Sequence, residues 1–254
     1  MAEPWGGAVA PRIGSAFADV SHAHGHDLEV CAREVFAAAL EELGAAPARV
    51  WAFLPGIDEP DIGTGATALA GDAPLDRYMR ANLGRVKAYR EARHPMAFMP
   101  AGTCVGHAGT HLVVHAMAFH GTVAPVENPR QRPAWQYSRR FGPASPPFTR
   151  AIVVEGRVIA SGTAAVVGEE TRHAEDLRAQ WAETLLNLDA LRAAAAARGR
   201  WRALQIYVRD ASHVAMAAEL ARRDFGDGLD RILVAPLCRR ELLVEMEGIA
   251  DVEG

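Results

Sequence analysis

Arg231-Ile-Leu-Val-Ala-Pro-Leu-Cys-Arg-Arg-Glu-Leu-Leu-Val-Glu-Met-Glu-Gly248 reads as two hydrophobic strands joined at Pro236-Leu237-Cys238. Side chains alternate faces along a strand, so Leu243, Glu245 and Glu247 share one face while Leu242, Val244 and Met246 share the other. A carboxylate in so apolar a run is either exposed on an edge strand or held at a site where its proton affinity matters. Working back from this stretch, a helix is expected over His213–Arg223 and a strand over Leu204–Val208. A long helix spans 174–197, its apolar stripe formed by Leu177, Trp181, Leu185, Leu188 and Leu191, with His173-Ala-Glu-Asp176 bringing acidic residues to its first turn. Before it, Ala151-Ile-Val-Val-Glu155 and Val158-Ile-Ala-Ser-Gly162 form a hairpin about Gly156-Arg157. The second half is therefore ββαβαββ.

The first half echoes this pattern without its opening hairpin. A helix over Leu28–Leu43 stops at Gly44, a strand covers Val50–Leu54, and residues 57–75 form a loop. A second helix runs from Leu75 to Arg90 and carries Arg77, Arg80, Arg85 and Arg90. Strands follow over 97–99 and Leu112–Phe119, separated by a glycine-rich turn from Gly102 to Gly109. The fold class is thus α+β, a duplicated unit in two tandem lobes. The expected divisions are a flexible tail over 1–25 with a short strand near Ile13, a partial first lobe over 26–125, an Arg/Pro-rich connecting segment over 126–150, and a second lobe over 151–254. A long irregular stretch such as 126–150 is usually functional or a linker.

Composition narrows the function. In 254 residues the net charge is −4, half of the residues are hydrophobic and no basic run is sustained, so a nucleic-acid footprint is not expected. Three scattered cysteines, Cys31, Cys104 and Cys238, form no metal-ligand spacing and no disulfide framework, which points to a reduced, cytoplasmic protein. The N-terminal residues lack the pattern of a signal peptide, and no apolar run reaches the length of a membrane span. His107, His111 and His115 near Cys104 lack an accompanying carboxylate set, and His22-Ala-His-Gly-His26 is a tail-like tract, so neither a metal nor another cofactor is expected.

Two groups of motifs carry a resemblance. Ser161-Gly-Thr-Ala-Ala-Val-Val-Gly168, Asp176-Leu-Arg-Ala-Gln180, Thr184-Leu-Leu-Asn187 and the closing Leu-Leu-Val-Glu-Met-Glu-Gly-Ile-Ala resemble the YjgF/RidA superfamily. This implies a mixed sheet backed by helices and, commonly, a homotrimer with sites at subunit clefts. Asn128-Pro-Arg-Gln131, Trp135-Gln-Tyr137, Phe141-Gly-Pro-Ala-Ser-Pro146 and Phe148-Thr-Arg150, together with Arg77-Tyr-Met-Arg-Ala-Asn-Leu-Gly-Arg-Val86, resemble the chorismatase family within that superfamily. Its members cleave chorismate with release of pyruvate, either hydrolysing the enol ether to a dihydroxycyclohexadiene carboxylate or aromatising it to 3-hydroxybenzoate. The chain resembles an N-terminally shortened member. Where the family has Ala-Tyr-x-Tyr-Pro, this chain has Ala134-Trp135-Gln136-Tyr137-Ser138, and Pro133 replaces a small polar residue. Leu229 stands where RidA imine deaminases carry a carboxylate-binding arginine, with Arg231 nearby.

The resemblance implies Glu245 as the general acid, and the strand reading agrees. Glu247, on the same face, is its competitor. A dianionic, chorismate-like small molecule needs cations for its carboxylates, and bidentate arginine suits them. Arg150, with Tyr137 as hydroxyl donor, is the expected carboxylate site, and Trp135 and Arg130 are further substrate-binding candidates. Arg132, Arg139 and Arg140 read as solvated loop residues. Gly162 and Thr163 are expected to turn backbone amides toward the ligand, whereas Gln180 and Asn187 read as structural. Cys238, seven residues before Glu245, resembles the 3-hydroxybenzoate-forming branch, while Ala151 after Arg150 resembles the hydrolytic one. The expected product leans to 3-hydroxybenzoate. The alternatives are a RidA-type imine/enamine hydrolase and a non-catalytic binding partner in a biosynthetic pathway.

Overall fold

The computed structural model describes residues 10–61, 75–92, 99–197, 199–226 and 229–252. In the first lobe, strand β1 (Arg12–Asp19) leads to helix α1 (Gly25–Leu43) and strand β2 (Arg49–Phe53). Helix α2 (Arg77–Glu91) and strands β3 (Ala101–Val105) and β4 (His111–Ala118) complete it. Leu28, Ala32, Val35, Phe36, Ala39, Leu40 and Leu43 bury one stripe of α1, the spacing of a helix packed on a sheet. Gly44 ends the helix in the left-handed region at φ 59°, donating its N–H to the Leu40 carbonyl at 3.0 Å. Asp76 starts α2 by accepting the Met79 N–H at 2.7 Å. The sheet order is β1-β4-β2-β3, antiparallel except for the parallel β2–β3 pair.

Two expectations for this half are corrected. Residues 12–19, placed in a tail with a short strand near Ile13, form an eight-residue strand paired along its length with β4. Ala101–Val105, most of which was assigned to a glycine-rich turn, is the strand β3. Its register beside β2 and its burial between the lobes outweigh the low strand propensity of Gly102. The strand expected over 97–99 lies mostly outside the described residues, as does most of the loop at 57–75.

The second lobe begins with β5 (Ala124–Val126), followed by the hairpin β6 (Ala151–Val154) and β7 (Arg157–Ala160). Three short strands follow: β8 (Thr163–Ala164), β9 (Val166–Val167) and β10 (Glu170–Thr171). Helix α3 (Leu177–Ala194), β11 (Trp201–Val208), helix α4 (Val214–Phe225), β12 (Leu229–Val234) and β13 (Val244–Asp251) complete the lobe. The sheet runs β12-β11-β13-β7-β6-β5, with β8 also on β13 and only β11–β12 parallel. The two strands of the closing stretch are thus not neighbours, because β11 lies between them. Order β12-β11-β13-β7 repeats β3-β2-β4-β1, including the single parallel pair. The duplication is real, and among the described residues the first lobe has no counterpart of β6.

Each lobe has its own core. One is built around Leu28, Phe36, Leu43, Tyr89 and Leu112, the other around Trp181, Leu188, Leu191, Ile206 and Met246. Two further clusters join the lobes. Val105 packs with Tyr207, Leu237 and Leu242, and Ala101 packs with Ile152, Val154 and Ile159. Gly106 N–H to the Pro236 carbonyl, at 2.7 Å, ties β3 to the connection before β13. The lobes therefore meet over their sheets, and the outward face of β13 is covered by the first lobe.

Candidate active site

That covering is incomplete, and a cavity of about 380 Å³ lies where it opens. Glu245, Gly162 and Ala164 form its β13 side, Cys104 and Gly102 come from β3, and Tyr78 and Arg85 from α2. The connecting segment supplies Tyr137, Phe141, Phe148 and Arg150, and Cys238 and Arg239 close the remaining side.

Glu245 is buried, with 5% of its surface exposed, and no hydrogen bond from the described residues reaches its carboxyl. Desolvation raises its pKa to about 8; the like charge of Glu247 adds to this, and Arg49 and Arg150 oppose it. At neutral pH it is therefore mostly a neutral acid, able to give a proton to a bound molecule. Its place depends on Gly162, since a Cβ there would overlap Glu245 Oε1. The Gly162 N–H points to the first lobe, to the Thr103 hydroxyl at 2.9 Å and the Gly102 carbonyl at 3.2 Å. The expected role for that amide is corrected: Gly162 contributes room, not a donor to the ligand.

Glu247, two residues on, points the same way but is shut in. It accepts from Arg49, Thr103, Gln205 Nε2 (3.1 Å), Tyr207 Oη (3.1 Å) and Trp51 Nε1 (3.2 Å), and it does not line the cavity. The two glutamates on one face are thus separated in role by what the first lobe places over them.

Two buried guanidiniums face the cavity. Arg150 NH2 donates to Tyr137 Oη at 2.6 Å and to the Arg132 carbonyl at 2.9 Å, and its Nε–H has no partner. Accepting that bond leaves the Tyr137 hydroxyl proton free to point at a ligand. Arg85 is 2% exposed, donates through Nε to Tyr89 Oη at 3.0 Å and leaves NH2 without a partner. Buried unpaired N–H groups on cations are costly unless an anion meets them. Arg239 spreads over the Phe141 ring at 4.0 Å and holds that side of the cavity closed. Asp76 also lines it, its pKa raised to about 6 by burial and lowered in part by the Met79 amide.

Burial keeps the thiols of Cys238 and Cys104 protonated, with Glu245 raising both further. Both line the cavity as neutral, weakly polar walls and not as nucleophiles.

Several expected site residues lie elsewhere. Trp135 is 43% exposed and is not among the described lining residues. Arg130 pairs with Glu183 at 2.6 Å and Asn187 Oδ1 at 2.7 Å, bracing α3, because α3 passes closer to it than the cavity does. Thr163 turns its hydroxyl back to the Ser161 carbonyl, and Ala151 is wholly buried in the second core. Gln180 and Asn187 are structural as expected: Gln180 grips Glu241 O and Leu243 N, and Asn187 holds the carbonyls of Ala164 and Val166. Arg140 does line the cavity, although it also pairs with Glu170 at the surface. Arg85, Tyr78 and Arg239 were missed as site residues. On α2 the arginine spacing was visible, but nothing local distinguishes an arginine facing a cavity from one facing solvent.

An acid held neutral thus lies beside two buried arginines, in a cavity between two tandem α+β lobes. Comparisons with known proteins are specific. Residues 13–118 match the family model described as chorismatase FkbO/Hyg5-like, N-terminal. The chain is 32% identical over 231 residues to a 3-hydroxybenzoate synthase of Streptomyces hygroscopicus, covering 83% of this chain and 65% of that protein. It is 30% identical to a chorismatase of Streptomyces rapamycinicus, covering 80% of this chain and 63% of the relative. A crystal structure of a chorismatase superposes with a TM-score of 0.75 at 27% identity, over 94% of this chain and 74% of that one. The chain is thus similar to chorismatases over most of its length. It spans just under two thirds of the length of these curated relatives.

Proposed function

We propose that this chain cleaves the enol ether of chorismate, or of a closely related dianion, with release of pyruvate. The observation that carries the reading is the neutral Glu245 carboxyl in a cavity lined by Arg85 and Arg150, two buried guanidiniums that each retain an N–H without a partner. An enol ether is protonated at its methylene carbon, which at neutral pH requires an acid of raised pKa. Glu245 donates that proton, and the ether oxygen's lone pair stabilises the resulting oxocarbenium ion. Arg150 with Tyr137 holds one carboxylate and Arg85 the other, each meeting a buried N–H that otherwise lacks a partner.

From the oxocarbenium ion two outcomes balance. Water can add, and the hemiketal then collapses to pyruvate and a diol, consuming one water overall. Alternatively the ring hydroxyl beside the ether adds to the oxocarbenium carbon with loss of its proton; its bond to the ring then breaks as the neighbouring ring carbon loses a proton, and the resulting aryl hemiketal collapses to 3-hydroxybenzoate and pyruvate, with no net water. The thiol of Cys238 is a small, neutral wall on the cavity and favours the second outcome by excluding water from it. This agrees with the resemblance to the 3-hydroxybenzoate-forming branch and with the name of one relative. Among the described residues no helix is long and apolar enough to cross a membrane.

The test is incubation with chorismate, following pyruvate and separating the organic product. Pyruvate with 3-hydroxybenzoate supports both the reaction and the branch; pyruvate with the diol retains the reaction and rejects the branch. Absence of pyruvate rejects the reading and leaves imine hydrolysis or simple ligand binding to be tested on the same protein.

A further inference from the structure

A buried ion pair crosses the lobe junction behind Glu245. Arg49 of β2 is 1% exposed and reaches across the junction to Glu247, while Thr103 of β3 donates to the same carboxylate. Thr103 also receives the Gly162 N–H, and Gly162 is the residue against which the Glu245 carboxyl rests. A continuous set of contacts thus runs Arg49–Glu247–Thr103–Gly162–Glu245, with the first and third members from one lobe and the others from the second. Arg49 retains two unpaired N–H groups, at Nε and NH1, so its charge is not fully neutralised by contact.

We propose that Glu247 and Arg49 are positioning residues for the proton donor: an ion pair across the lobe junction that sets the charge felt by Glu245 and holds its carboxyl against Gly162. This rests on the reading of Glu245 as the acid. Glu247 projects from the same face of β13 and keeps Glu245 in its neutral form; Arg49, opposite in sign, limits the effect. The other groups facing Glu245 are Tyr207 on β11, Arg150 ahead of β6, Cys238 before β13, and Cys104 and Arg85 from the first lobe. Only Arg49 and Glu247 among these form a charge pair outside the cavity, so they can be altered without removing a group that would touch substrate. Because Arg49 belongs to the other lobe, the donor acquires its final proton affinity only when the lobes are docked.

Three variants test this: Glu247→Gln, Arg49→Gln and the double variant. The alkaline limb of the pH profile of kcat/KM, which follows loss of the Glu245 proton, moves down by about one pH unit in Glu247→Gln. It moves up in Arg49→Gln, and the double variant returns close to wild type. A lowered rate at every pH with the limb unmoved, or shifts of the same sign in both single variants, overturns the proposal. The double variant buries no unpaired charge, so it remains informative if a single variant fails to fold. Infrared titration of the carboxyl band that disappears in Glu245→Gln reads the same shifts without turnover. That band decides the inference even if chorismate proves not to be the substrate.

Discussion

Replacing Glu245 with glutamine keeps its volume and removes its proton. With a pKa of about 8, roughly nine tenths of the side chain is protonated at pH 7, whereas an ordinary glutamate would be protonated in about 1 molecule in 300. Burial thus supplies an increase of about 300-fold in the acid form, equivalent to about 3 kcal/mol of transition-state access at that pH. The same burial has a cost in stability, and its sign is opposite to that of a salt-bridged carboxylate. The folded state holds the proton more tightly than the unfolded chain, so the penalty is absent below about pH 4.5 and accrues as pH rises through 8. Between pH 5 and pH 9 wild type loses about 4 kcal/mol relative to Glu245→Gln, taken as an upper bound. The assay is urea unfolding of both proteins at pH 5, 7 and 9, alongside pyruvate release from chorismate. Glu245→Gln is expected to release no pyruvate and to gain on wild type at each step up in pH. A constant stability difference across this range would show that Glu245 titrates normally, and wild-type turnover in the variant would remove it as the acid.

Other outcomes follow from the same geometry. Gly162→Ala places a methyl on the Glu245 carboxyl and is expected to lower kcat by about 100-fold, because a displacement near 1 Å has that effect on a positioned group; an unchanged kcat would mean the carboxyl has room to move. Arg85→Met removes a buried cation with an unpaired N–H, so KM for chorismate should rise about 10- to 100-fold while the thermal midpoint stays or rises. A drop in the midpoint with KM unchanged would make Arg85 structural. Cys238→Ala should shift the aromatic product toward the diol, checked by chromatography of the product mixture, and an unchanged ratio would exclude the thiol from partitioning. Trp135→Phe should leave KM within about twofold, since its side chain lies outside the described cavity lining.

Much of the fold was legible from local periodicity. The stripe Leu177, Trp181, Leu188 and Leu191 packs as a helix on a sheet, and the hairpin about Gly156 forms where turn chemistry placed it. β3 was not legible, because Ala101-Gly-Thr-Cys-Val105 has no alternating pattern: it is buried on both faces, between its own lobe and the other. Strand β1 was also obscured, since an edge strand with exposed Ile13 and Phe17 carries little of the signal of a buried one. Within the site, Arg150 and Tyr137 could be found through the motif that contains them. Arg85 could not, because several arginines recur along α2 and only the packing of β3 and the connecting segment decides which of them lines the cavity.

The sequence by itself determined the α+β class, the repeat of one unit in two lobes, and the strand that carries Glu245 and Glu247 on a common face. Those properties depend on periods of two and about 3.6 residues, which any local window contains. Only the tertiary structure decided which glutamate faces the cavity, for alternation gives a face but not what covers it. The first lobe brings Arg49, Trp51 and Thr103 over Glu247 and stops short of Glu245. One carboxylate is thereby held in an ion pair, and the other faces the cavity, where its burial keeps its proton on.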